Sequence, residues 1–114
     1  MSDTTAEFFH SLDGRGPEPV IGKGQGTVRF ELSSGTHTDR WLIGLDKGML
    51  IVSKKREAAD CTVRAEKRLF EGIVDGSVNL MAAVLRGALT IEGDPAPLFL
   101  LQRLFPGPAT KGAA

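Results

Sequence analysis

The run Thr27-Val28-Arg29-Phe30-Glu31-Leu32-Ser33, followed after a polar interval by Arg40-Trp41-Leu42-Ile43-Gly44-Leu45-Asp46, decides the fold. Val28, Phe30 and Leu32 alternate with Arg29 and Glu31, the two-residue period of a strand with one buried and one wet face. Trp41, Ile43 and Leu45 repeat it. Ser33 to Asp39 reads as the hairpin loop between them, and Asp46-Lys47-Gly48 as a tight turn into a third strand. There Met49, Leu50, Ile51 and Val52 are apolar on both faces, which predicts a strand that is central or covered on both sides. Lys54, Lys55 and Arg56 mark its exit into solvent. From Asp60 to Ala65, Cys61, Val63 and Ala65 oppose Asp60, Thr62 and Arg64, giving a fourth strand and a mainly antiparallel sheet.

Upstream, Phe8, Phe9 and Leu12 at helical spacing predict a short helix over residues 3 to 12, with Ser2 or Asp3 as its cap. Five glycines and two prolines between Gly14 and Gly26 break both periods and predict a loop. Downstream the period lengthens. Leu69, Phe70, Ile73 and Val74 form a stripe that stops before Gly76, and Val78, Leu80, Met81, Val84 and Leu85 form another closed by Gly87. Ala88 to Glu92 alternates as a last strand. Asp94 then caps a helix beginning at Pro95 and ending at Pro106-Gly107, with residues 107–114 as a flexible tail. On this last helix Leu98, Leu100, Leu101, Leu104 and Phe105 share one arc, and Phe99 falls outside it beside Gln102 and Arg103. Phe99 is either a singly exposed apolar residue or a contact to a second copy or a membrane. The class is α+β: five strands covered by about four helices.

The 114 residues suit one domain spanning 1–114, and 41% hydrophobic with 25% charged residues is the ordinary mixture of a folded chain. Fourteen Lys and Arg balance fourteen Asp and Glu, so no global field draws the chain to nucleic acid. Cys61, the only cysteine, has no internal disulfide partner. The N-terminus lacks the basic and apolar regions of a signal peptide, no apolar run could span a bilayer, and Lys111-Gly112-Ala113-Ala114 is not a peroxisomal address; a cytoplasmic location is expected.

Chemistry-bearing patterns are weak. Gly22-Lys23-Gly24-Gln25-Gly26 precedes a strand instead of following one into a helix, so it is no nucleotide loop. Ser33, Ser34, His37 and Asp39 have the residue types of a hydrolase triad, yet they crowd one predicted turn without a scaffold to orient them. His10, His37 and Cys61 sit on three different elements with no ligand-spaced pair, so no metal and no cofactor is expected. Lys54, Lys55 and Arg56, near Lys67 and Arg68, are either a solvated strand end or a docking point for an anionic headgroup.

The order of elements resembles the sterol carrier protein 2 domain, as a stand-alone bacterial-type member. The resemblance lies in Trp41 to Lys47, in Asp60-Cys61-Thr62-Val63, and in Asp75-Gly76, Asn79, Ala83 and Leu85-Arg86-Gly87-Ala88-Leu89-Thr90-Ile91-Glu92-Gly93-Asp94. It implies an apolar tunnel between sheet and helices that takes up sterols, fatty acids, acyl-CoA or phospholipids without catalysis. The Gly14 to Gly26 segment, the short first helix and the missing targeting tripeptide depart from the peroxisomal members. Composition alone is equally compatible with a solid interior. On the resemblance, Phe30, Trp41, Ile43, Val63, Phe70, Met81, Val84, Leu85, Leu101, Leu104 and Phe105 are the candidate cavity lining. The expected partners are a lipid, transiently a membrane surface, and either a second copy or an enzyme that the domain assists.

Overall fold

In the computed structural model, which describes residues 4–14 and 24–104, β1 (Gln25–Ser34) and β2 (His37–Asp46) pair antiparallel along their whole length. Ser34 faces His37, so only Gly35 and Thr36 turn the chain, and Gly35 takes the left-handed φ of 63°. The expected seven-residue loop is thus mostly strand. Its polar residues lie at the exposed end of the hairpin, where composition is loop-like although the backbone stays paired.

Asp46 faces Met49 at the next corner, and both central residues have positive φ, Lys47 at 53° and Gly48 at 86°. That is the signature of the hairpin turn whose twist matches its strands. It delivers β3 (Met49–Ser53), which pairs with β2 and ends the sheet on that side. The expectation of a central or doubly covered third strand is therefore wrong: β3 is an edge, and Ile51 is 61% exposed on the outer face.

β4 (Cys61–Glu66) lies parallel to β1, and β5 (Thr90–Gly93) lies antiparallel to β4, giving the order β3-β2-β1-β4-β5. The parallel pair makes the sheet mixed. Register places Val28, Phe30, Leu32, Trp41, Ile43, Leu45, Leu50, Cys61 and Val63 on one face, all buried. The opposite face carries Arg29, Glu31, Arg40, Arg64 and Glu92. Glu31 holds Arg64 Nε at 2.8 Å and Arg40 Nε at 3.7 Å, and Arg64 Nη1 reaches Glu92 at 2.6 Å, a charge ladder across four strands. Such exposed pairs add little stability each. Their consequence is a face that is largely polar, with Leu42 buried on it.

The helices supply the other layer: α1 (Thr4–Leu12), α2 (Lys67–Asp75), α3 (Leu80–Leu85) and α4 (Ala96–Gln102). α2 stops at Gly76, whose φ of 88° only glycine adopts without strain. Asn79 caps α3 by accepting the Ala82 N–H at 2.9 Å. α3 then closes with two bonds, from the Gly87 N–H to the Val84 carbonyl and from the Ala88 N–H to the Ala83 carbonyl, around a left-handed Gly87. Asp94 accepts the Ala96 N–H at 3.0 Å and so opens α4, with Pro95 one position outside the helix. α4 ends at Gln102, short of the expected Pro106-Gly107. The expected tail, and most of the expected glycine-rich loop, lie outside the described residues.

Candidate functional site

An aromatic cluster occupies the space between the sheet and α2, and α1 supplies its centre. Phe9, fully buried, stacks on Trp41 at 4.8 Å between ring centroids and on Phe70 at 5.4 Å, and tilts against Phe30 at 5.3 Å. Phe8 meets Phe9 and Phe70 edge-on. Phe30 comes from β1, Trp41 from β2 and Phe70 from α2, so one short helix closes three elements. Stacked and edge-to-face pairs each add about 0.5–1.5 kcal/mol beyond area burial.

The rest of the candidate lining divides. Phe30, Ile43, Val63, Phe70 and Leu101 are buried in one continuous cluster with Val28, Leu32, Leu45, Leu50, Ile73 and Leu98. Val84 and Leu104 pack partly against it, and Met81 is half-buried. Leu85 does not belong: it is 83% exposed. α3 has six residues and turns Leu80 and Ala83 inward, which leaves Leu85, about 140° from Leu80 around the axis, on the outside. Phe105 lies outside the described residues. Phe99 is 41% exposed, on the outer side of α4 as its wheel position predicts. Lys55 and Arg56 are exposed, and Lys54, also exposed, holds its ammonium 4.3 Å from the centroid of Trp41.

Sequence reasoning missed Phe9 as a site residue and took it only as one member of a helical stripe. The signal was present in two adjacent aromatics on a helix too short to stand alone. It also missed how α1 reaches the sheet edge. The Gly14 N–H donates to the Leu50 carbonyl at 2.8 Å, and the Asp13 carboxylate accepts the Val52 N–H at 2.9 Å. Leu50 and Val52 are the β3 residues that point away from β2, so this segment hems the free edge.

Polar groups gather at the hairpin end. Asp39 accepts from the His37 ring at 2.7 Å and pairs with Lys67 at 3.2 Å. Burial alone would raise its carboxyl, but the hydrogen bonds and charges of His37 and Lys67 outweigh it and hold the carboxyl below its ordinary range. Ser33, Ser34, Gly35, Glu66 and Arg68 line a shallow polar groove of about 470 Å³ there. Burial, with Asp94 and Asp60 nearby, pushes the Cys61 thiol up, which keeps it an inert apolar group. Among the described residues no three His, Cys, Asp or Glu side chains gather as a metal site, and no helix is long and apolar enough to cross a membrane.

The family model for the SCP-2 sterol transfer family matches residues 10–106. No curated protein matches the chain. Among solved structures, the sterol carrier protein domain 2 of Helicoverpa armigera is similar at 22% identity and a TM-score of 0.71, over 88% of this chain and 86% of that one. Sterol carrier protein 2 from Yarrowia lipolytica gives 18% identity and a TM-score of 0.70, over 86% and 93%. The sec-alkylsulfatase Pisa1 from Pseudomonas sp. gives 19% identity and a TM-score of 0.69 over 94% of this chain, but only 17% of that longer protein. At these identities the likeness is one of fold.

Proposed function

The chain belongs to the SCP-2 sterol transfer family, and from that premise we propose that it binds a lipid or another long apolar molecule between sheet and helices, without catalysis, and exchanges it with membranes or a partner in the cytoplasm. The observation that carries this reading is the convergence of Phe30, Ile43, Val63, Phe70 and Leu101 on the helix-covered face. Around them lie Phe8 and Phe9 of a nine-residue helix. An isolated helix of that length is marginal in water, so α1 owes its place to packing. A ligand chain that replaces Phe9 against Trp41 and Phe70 recovers the same kind of burial, at about 0.8 kcal/mol per methylene. Polar recognition then needs to supply little.

Mass spectrometry of the lipid that co-purifies tests the proposal, followed by uptake of a fluorescent fatty acid by the delipidated protein. One mole of ligand per mole of protein is the expected result. A protein that purifies empty and takes up nothing refutes it.

A second reading is an accessory module that holds an enzyme or a second copy. The exposed Leu85 and Phe99 favour it, since large apolar side chains left in water are frequent contact points. So does the likeness to a minor part of the longer alkylsulfatase. A mass that rises with concentration in sedimentation velocity, together with no lipid uptake, would select this reading.

A further inference from the structure

Trp41 is buried to within 5% of its surface, and its indole Nε1–H has no hydrogen-bond partner among the described residues. A buried donor left unmade costs free energy, and native proteins rarely tolerate one without a reason such as an absent ligand. The group sits where burial gives way to solvent. Phe9 stacks against the ring, while the exposed Lys54 ammonium lies 4.3 Å from its centroid and the exposed His10 ring meets it edge-on at 5.5 Å. Lys54 makes no ion pair among the described residues. Asp13, at the end of α1, accepts the Val52 N–H. A ring donor without a hydrogen-bond partner and a cation without an ion pair among the described residues therefore meet at the border of the apolar interior.

The geometry points to a polar subsite in which Trp41 Nε1–H and Lys54 bind the carboxylate of an acyl ligand, with its chain running inward along the position of Phe9. This deepens the lipid-binding reading and rests on it. A carboxylate offers several acceptor positions on two oxygens, so one group can take the indole proton and an ammonium proton together. A hydroxyl in its place is uncharged and loses the charge-assisted bond. The subsite thus distinguishes an acid from an alcohol of the same chain length, which apolar burial cannot do.

Calorimetric titration of the delipidated full chain with dodecanoate and with 1-dodecanol separates the two. Trp41→Phe keeps an aromatic ring, though a smaller one, and removes the N–H, and Lys54→Gln removes the charge at an exposed position. Lys54→Gln is expected to weaken dodecanoate binding about tenfold and to leave 1-dodecanol within about twofold, and Trp41→Phe, whose ring also meets the ligand chain, is expected to lower the ratio of dodecanoate to 1-dodecanol affinity about tenfold. Should Trp41→Phe lower the melting transition, Lys54→Gln decides alone. Equal losses for acid and alcohol, or none for either, overturn the subsite and leave the indole N–H to water. Failure of the unaltered protein to bind either compound overturns the lipid-binding reading as well.

Discussion

Replacing Phe9 by alanine asks whether α1 is a structural wall or a loosely held cover. The ring is fully buried and has Trp41, Phe30 and Phe70 within 5.4 Å between centroids. A core Phe→Ala change costs about 3–5 kcal/mol, and the lost ring pairs place this site in the upper part of that range. Against a total stability of about 5–15 kcal/mol this is a large fraction. Trp41 is the only tryptophan, so its emission during urea unfolding reports on the altered contact. With a slope of about 2 kcal/mol per molar urea, the midpoint should fall by about 2 M. The same variant opens space beside Trp41, so delipidated Phe9→Ala should bind dodecanoate at least as tightly as the parent. A loss below about 1 kcal/mol at unchanged slope would refute the reasoning, because it would show that the ring is not part of the cooperative core.

Three further outcomes are expected. Gly93→Ala should destabilise by more than about 2 kcal/mol in a melting experiment, because φ is 88° and the new Cβ would land on the Asp60 carbonyl oxygen; Gly35→Ala, at φ 63° with open space around it, should cost only about 1 kcal/mol. Asp13→Ala should lower stability by about 1–2 kcal/mol and raise the tendency to associate, whereas Asp13→Asn, which keeps an acceptor for the Val52 N–H, should recover much of both when unfolding and light scattering are compared. The folded Asp39 carboxyl lies below the ordinary 3.8, so its contribution is present above that value and lost as pH falls through the lowered one. Asp39→Asn should therefore flatten the fall of melting temperature with acid below about pH 4, and an unchanged acid limb would count against the ion pair.

Strand alternation was legible because register acts residue by residue: Val28, Phe30, Trp41, Ile43 and Val63 all point inward as their period requires. Sheet order was not. The run Met49 to Val52 is apolar on both sides, yet its cover is the Asp13-Gly14 segment at the edge, a tertiary contact that no local period encodes. The parallel pairing of β1 with β4 is hidden for the same reason. The candidates on long, well-paired elements are buried as their period requires, and Leu85 is exposed, six residues of α3 giving too short a stripe to fix its phase. Phe9 was seen as helical but not as central, since its importance lies in Trp41 and Phe70, far away in the chain.

The stitch that Asp13 and Gly14 put into β3 ties two fates together. Any event that lifts α1 unplugs the aromatic interior and unpicks the hem in the same motion, so the open protein offers a sticky hollow and a bare strand margin at once. A bare margin recruits whatever chain comes by, including another copy. Exchange of ligand into and out of the protein is therefore best done dilute and cold, with light scattering watched throughout. Fibrous or gelled material formed while α1 is lifted would be zipped along Met49–Ser53.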